Sequence, residues 1–469
     1  MANFSSLNGI SCDSVSSVNG TSKSSINNVD GLETCDSSAA TRLVTFSKGH
    51  YSFLDFPLSD SAATNIATLK SNETVADNDF NNNRQPVYGK DGSGNPMYAV
   101  TNDTTQDLVY TITPDNVTAK AAMSEVDNPD NHSLCSDDAV DPCRKLFALG
   151  WGNDVWIATT NTLGIPFDES GVTYTFHDGS TGPGPFLWRS TDGWSTQHKV
   201  SLGHLTNLPS TANGGVGGGT NNGYITALTT DGAGNWWFGI GKYIFKSTDD
   251  GLTWAEEASI TIGGGNFDSK GCGIRGLVNT NGILICVYQW NDGSSNESRV
   301  IAAPTSNTSS GWGTPVSLVD LTGGGTQPAS FIDAAENPVT MTPAQTAYSA
   351  ENGAMRIAAA AGRVVVADKF QVASFDVTTA GGVGVVSIVG PVTRLTQNVH
   401  DPIWSIVTDG KGTWYAAGQG YNGGPNGLGR IWRSTDNGVT WTLPVGLINT
   451  EPDYGKAIKG LILDVYLPL

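Results

Sequence analysis

Ile244-Phe-Lys-Ser-Thr-Asp249 runs on as Asp250-Gly-Leu-Thr-Trp254. It recurs as Ile431-Trp-Arg-Ser-Thr-Asp436 with Asn437-Gly-Val-Thr-Trp441. A third copy opens alike as Leu187-Trp-Arg-Ser-Thr-Asp192. Each reads as an apolar, aromatic strand, a turn carrying a fixed Asp and Gly, and a strand restarting near Thr-Trp. One such segment is an ordinary hairpin, but three at wide spacing are an internal repeat, and a repeat constrains the whole architecture.

Each position has a physical reason. Ser247 and Ser434 end a strand, where a hydroxyl bonds local backbone. Asp249 and Asp436 suit the acceptor role of a turn carboxylate. Gly251 and Gly438 supply positive φ without steric cost. Trp254 and Trp441 bury a large ring between sheets. The first copy departs from this pattern: after Ser190, Gly193 follows Asp192 directly, and Gln197 stands where Trp is expected. A fourth, worn copy is read at Ser306–Gly311, followed by Trp312.

The pattern Ser-x-Asp-x-Gly-x-Thr-Trp resembles the Asp-box of sialidases and many other β-propeller proteins. That resemblance implies a fold-stabilising hairpin far from any active centre. It assigns Ser190, Asp192, Gly193, Ser247, Asp249, Gly251, Trp254, Ser434, Asp436, Gly438 and Trp441 structural roles.

Spacing fits blades. Asp192 and Asp249 stand 57 residues apart, and Asp249 and Asp436 stand 187 apart, about three such steps. A second repeat precedes the box: Leu228-Thr-Thr-Asp-Gly-Ala-Gly-Asn-Trp236 matches Ile406-Val-Thr-Asp-Gly-Lys-Gly-Thr-Trp414. Looser versions lie at 149–158, 276–285 and 356–366. An inner hairpin followed by an outer one is the order of a four-stranded blade. We therefore expect an all-β fold, a β-propeller with blades near 145–203, 222–260, 273–320, 354–392 and 403–446.

The segment 457–465 resembles the opening strand of a further blade (compare Ile274-Arg-Gly-Leu-Val278), with no sequence left to finish it. Strands at 97–112 are read as its partners, which gives six blades. A seventh built from 41–56 is the alternative. Insertions are expected at 57–84 (with a short helix near 62–69), 118–144, 162–186 and 205–223.

Residues 1–40 differ from the rest. Phe4-Ser-Ser-Leu-Asn8-Gly9-Ile10, Val15-Ser-Ser-Val-Asn19-Gly20-Thr21 and Ile26-Asn-Asn-Val-Asp30-Gly31-Leu32 are one unit repeated every 11 residues. Each pairs apolar residues around an Asn-Gly or Asp-Gly turn. The tract is too short and polar to fold alone, and it reads as an arm that orders on a partner. It resembles N-terminal segments of structural proteins in marine and cyanobacterial tailed phages. The resemblance implies a virion component assembled in the host cytoplasm, such as a tail nozzle, fibre or appendage. Residues 1–36 would bind other virion proteins, in multiple copies of a symmetric assembly. A host-surface glycan or receptor is the ligand class left to the propeller.

Composition narrows the partners. The chain has 469 residues and 58 glycines, with only 15% charged residues and a formal net charge of −19. Such acidity disfavours nucleic-acid and anionic-membrane binding. No apolar run reaches transmembrane length. The opening Met1–Gly9 lacks a signal peptide's charged and apolar regions. Six cysteines (Cys12, Cys35, Cys135, Cys143, Cys272, Cys286) form no zinc-binding pattern. Cys135 with Cys143, or Cys272 with Cys286, could bridge, and free buried thiols fit equally.

No catalytic constellation emerges. The arginine-bearing motif that precedes the first Asp-box in sialidases is absent, and Arg189 and Arg433 belong to the box hairpins. No Gly-x-Ser-x-Gly, His-Glu-x-x-His or phosphate-binding loop occurs. The six histidines (His50, His132, His177, His198, His204, His400) are scattered. The Asp231–Asn235 and Asp409–Thr413 turns lack a calcium loop's ligand series. Catalytic, cofactor and metal residues are therefore assigned as none. Trp151, Trp290 and Trp312, near turns, are the tryptophans least explained by packing. The rival reading is an Asp-box propeller enzyme acting on glycans through paired carboxylates.

Overall fold

The computed structural model describes residues 87–101, 146–160, 174–182, 186–205, 207–208, 227–261, 273–291, 296–317, 355–368, 371–395, 403–419, 429–442 and 458–463. It also describes the strand backbone of the further segments named below. Short strands come first: β1 (Ser6–Leu7), β2 (Ile10–Ser11), β3 (Ser17–Val18), β4 (Thr21–Ser22), β5 (Asn28–Val29) and β6 (Leu32–Glu33). They pair as three separate hairpins of identical register, with Leu7 opposite Ile10, Val18 opposite Thr21 and Val29 opposite Leu32.

Larger antiparallel sheets follow. β7 (Arg42–Ser47), β8 (His50–Asp55) and β9 (Lys70–Ser71) lie side by side. A four-stranded sheet holds β10 (Val87–Lys90), β11 (Pro96–Thr101), β12 (Leu108–Ile112) and β13 (Val117–Ala122). The next contains β14 (Leu146–Gly152), β15 (Val155–Thr160), β18 (Phe186–Ser190) and β19 (His198–Ser201). A small hairpin, β16 (Tyr174–Thr175) and β17 (Thr181–Gly182), interrupts it.

Two regular four-stranded sheets come next. One is β20 (Ala227–Thr230), β21 (Trp236–Ile240), β22 (Tyr243–Ser247) and β23 (Ala255–Ser259). The other is β24 (Gly273–Thr280), β25 (Ile283–Asn291), β26 (Asn296–Pro304) and β27 (Val316–Ser317). A five-stranded sheet places β28 (Val339–Thr340) outside β32 (Val383–Arg394), β31 (Gln371–Ala380), β30 (Arg363–Asp368) and β29 (Met355–Ala360). Finally β33 (Ile403–Thr408), β34 (Trp414–Gln419) and β35 (Gly429–Ser434) form a sheet that Thr442 extends by one bridge to Arg433. The last strand, β36 (Ile458–Leu463), pairs with β7, Leu463 opposite Leu43.

The fold is thus all-β and propeller-like, with several four-stranded antiparallel sheets. First strands pack beside one another in succession: β10 by β14, then β20, β24, β29, β33 and β36. The apolar core lies between neighbouring sheets. Ile157 and Leu187 meet Trp236, Phe238, Phe245 and Trp254 in one layer, and Val365 and Ala367 meet Ile406, Trp414 and Trp432 in another. Each fully buried aromatic or branched side chain contributes roughly 1.5–3 kcal/mol, so these layers hold sheet to sheet.

Sequence expectations need correcting at four places. The partner of β36 is β7, not the strands at 97–112, which sit within the β10–β13 sheet. The expected insertion 118–144 begins too early, because β13 spans Val117–Ala122. The expected insertion 162–186 ends too late, because Phe186 opens β18 as a buried residue, and within it Phe176 is buried in the core. The worn copy at Ser306–Gly311 does lie between third and fourth strands, but Thr305–Asn307 is a 3-10 turn there. The expected helix near 62–69 lies outside the described residues.

Candidate functional site

The repeat turns have one shared geometry. Ser247 Oγ donates to Asp249 Oδ1 at 2.7 Å and accepts the Gly251 amide at 2.9 Å. Asp249 accepts the Thr253 amide on Oδ1 at 2.9 Å and the Thr253 hydroxyl on Oδ2 at 2.6 Å. Around Asp436 the corresponding bonds come from Ser434 at 2.8 Å and from the Thr440 amide and hydroxyl at 2.8 and 2.6 Å. Trp254 and Trp441 each donate the indole N–H to the turn glycine's carbonyl, Gly251 or Gly438, at 3.0 Å.

The turn carboxylates share one electrostatic balance. Partial burial pushes Asp249 up. The Thr253 hydroxyl, the Thr253 amide and the Ser247 hydroxyl outweigh it and hold the carboxyl below the ordinary value of 3.8. The same opposition holds Asp192 and Asp436 low. These groups are ionised and fully engaged by local donors, which suits a structural carboxylate rather than a proton donor.

The first copy keeps these bonds but moves the tryptophan. Ser190 Oγ donates to Asp192 at 2.9 Å, and Thr196 supplies the amide and hydroxyl bonds at 2.9 and 2.7 Å. Trp194, not a glycine, donates its amide to Ser190 Oγ at 2.9 Å and sits at φ 67°. Its ring is fully buried beside Trp156, with centroids 6.4 Å apart.

All three turns press on the preceding sheet. A Cβ at Gly251 would lie 2.3 Å from Ile157 Cδ1, one at Gly438 2.5 Å from Val365 Cγ2, and one at Gly193 2.7 Å from the Asp91 Cα. Hydrogen bonds cross the same junctions. Arg189 Nε donates to the Asp250 carbonyl at 2.7 Å, Arg363 Nη1 donates to the Asn437 carbonyl at 3.0 Å, and Asn153 Nδ2 donates to the Asp250 carboxylate at 2.9 Å. The turns therefore staple neighbouring sheets.

The inner turns are close copies of one another. Asp231 Oδ1 accepts the Ala233 and Asn235 amides at 2.8 and 3.1 Å, and Asp409 Oδ1 accepts those of Lys411 and Thr413 at 2.8 and 2.9 Å. A third member was missed in the sequence. Asp91-Gly-Ser-Gly-Asn95 closes the β10–β11 hairpin, with the Ser93 and Asn95 amides on Asp91 Oδ1 at 2.9 and 2.8 Å. The identical Asp-Gly-x-Gly-Asn spelling would have revealed it, and with it a complete sheet at 87–122.

The β36-β7-β8-β9 sheet has two chain segments side by side at the equivalent place. The end of β36 and the start of β7 pair side by side, where other sheets carry an inner turn. β7 therefore starts at the end that bears the Asp turns. Asn8, Gly9, Asn19, Gly20, Asp30 and Gly31, expected as arm turns, lie outside the described residues. The strands flanking them leave two residues to connect each hairpin.

The opposite end of three consecutive sheets gathers arginines, a feature the sequence reading passed over. Arg275 starts β24 and Arg299 lies near the start of β26. Arg356 starts β29, Arg394 ends β32 and Arg430 starts β35. They are five of the chain's eleven arginines. Arg356 is buried, which pushes its guanidinium down to about 10, and its Nε donates to the Trp404 carbonyl at 2.5 Å across the β29–β33 junction. Arg299 stacks on Trp290, 3.8 Å from the ring centre.

The other singled-out residues have packing partners. Trp151 lies edge-on to Trp156, and Trp312 donates its indole N–H to the Thr308 carbonyl at 2.7 Å. His204 Nε2 lies 2.8 Å from the Trp254 carbonyl. Cys286 is a free, buried thiol opposite Leu277, and burial pushes its pKa up. The other cysteines lie outside the described residues. Among the described residues, no group of three or more His, Cys, Asp or Glu is placed to hold a metal ion, and no helix is long and apolar enough to cross a membrane.

No family model and no curated protein matches the chain. Several solved structures resemble it. A hypothetical selenium-binding protein from Sulfolobus tokodaii is 8% identical, with 90% of this chain and 93% of that chain covered, at TM-score 0.45. An ulvan lyase, a polysaccharide lyase, is 10% identical over 77% and 84%, at TM-score 0.38. A xyloglucanase from Xanthomonas campestris is 11% identical over 90% and 68%, at TM-score 0.32.

Proposed function

We propose that this chain is a non-enzymatic structural component of a tailed-phage virion, in which an N-terminal arm docks onto the particle and a rigid propeller serves as scaffold or receptor-binding head. The observation that carries the reading is the arm: three hairpins of one register at an 11-residue step, joined to the sheet that unites both ends of the chain. A repeat of that kind is an assembly element more than a catalytic one.

The propeller in this reading has seven blades and is closed. Two observations support it. β36 lies beside both β33 and β10, and the β7 sheet and the β10 sheet are separate. The Ser-Asp turns then act as Asp-box hairpins in three of the blades. Their carboxylates are occupied by local donors, which favours a scaffold over a glycan-cleaving enzyme.

The test is deletion of residues 1–36. The truncated protein should fold, with an unchanged melting curve, and should no longer incorporate into particles. Normal incorporation would overturn the reading. Hydrolysis of host-surface glycan by the purified chain would overturn the non-enzymatic part of it.

A further inference from the structure

We infer that the arm joins copies of this chain to one another, hairpin against hairpin, before or within the larger assembly. The inference rests on the arm being the docking element. Each arm hairpin has strands of only two residues and forms a two-stranded sheet of its own. Such a hairpin is marginal in water and, among the described residues, has no third strand on either backbone edge. It gains stability by strand addition from outside.

Periodicity selects the occupant. Leu7/Ile10, Val18/Thr21 and Val29/Leu32 are equivalent cross-strand pairs, repeated every 11 residues. A surface that engages all three at once must offer three sites at the same step. The arm of a second copy has that step by construction, so three weak contacts close together and reinforce one another. Self-complementary patches are also how symmetric homo-oligomers form.

Sedimentation of the purified full-length chain at micromolar concentration tests this. The full chain should sediment as a multimer, and the chain lacking residues 1–36 as a monomer with an unchanged melting curve. Gly9→Val, Gly20→Val and Gly31→Val should each weaken association by a similar factor, about one to two orders of magnitude. A chain with the first and third units exchanged should associate as before. A monomeric full-length chain, a truncated chain that stays multimeric, or dependence on one unit alone would overturn the inference. Particle incorporation is a separate readout. If the full chain is monomeric yet needs its arm to incorporate, this inference fails and the virion reading stands. If it self-associates yet incorporates without its arm, the virion reading fails.

Discussion

Trp194 donates its amide to the Ser190 hydroxyl at 2.9 Å from a left-handed backbone, at the step that Gly251 and Gly438 hold in the other two turns. Its indole is fully buried against Trp156, whereas a Cβ at Gly251 or Gly438 would strike Ile157 or Val365. A non-glycine residue in that backbone region costs about 1–2 kcal/mol, which the burial of a tryptophan exceeds. Trp194→Ala should therefore lose about 3–5 kcal/mol. Trp194→Gly should lose less, because it also relieves the backbone. Denaturant unfolding checks this inverted order; an alanine variant more stable than the glycine variant would contradict it.

Two glycines with the same backbone need separate the cost of conformation from the cost of packing. Gly282 sits at φ 70° with its nearest neighbour 3.7 Å from a built Cβ, whereas at Gly438, φ 79°, that Cβ would lie 2.5 Å from Val365 and 2.9 Å from Ser374. Gly282→Ala should cost about 1–2 kcal/mol, and Gly438→Ala a further 1–3 kcal/mol or so from overpacking. Equal melting temperatures for the two variants would mean that the turn does not staple its neighbour.

The turn carboxylates make stability depend on pH with a defined sign. Asp192, Asp249 and Asp436 are held below the ordinary value of 3.8 in the folded state. Their contribution is complete above that pH and is lost as pH falls through the lowered folded values. The triple Asn variant should melt earlier than the native chain near neutral pH, and the gap should narrow in acid. A gap that widens in acid would reverse the assignment. Asp249→Ala alone should cost about 1–3 kcal/mol through the donors it strands.

The last strand is received by β7 rather than by the arm. Leu43 and Val44 are fully buried and pair with Leu463 and Ile462. Removing residues 1–40 should leave thermal unfolding unchanged. Val44→Lys places an ammonium at a fully buried position and should lower the melting temperature by many degrees. If Val44→Lys melts like the native chain, the β7–β36 pairing is not structural.

The legible features were local. Asp249, Thr253 and Ser247 bond within four residues of one another, so spacing alone identified the acceptor and its turn. The centres of five sheets followed from the same repeats. What failed was long-range. β36 needed a partner, and several apolar strands near the N-terminus were equally suitable by pattern. Asp91–Asn95 held the missing information, because a third inner turn makes 87–122 a sheet with its own first strand. The displaced tryptophan at 194 hid in the same way, since its role depends on space beside Trp156 in another hairpin.

By itself, the sequence determined what short-range hydrogen bonding and backbone conformation determine: the all-β class, the repeated turns and the 11-residue arm. Only the tertiary structure decided that β7 receives β36, and that five arginines gather at the end opposite the Asp turns. Strand pairing between chain ends has no local signature, because any apolar strand offers the same backbone ladder. The choice falls to the packing of whole sheets, where buried side chains from distant segments must fit one another at once.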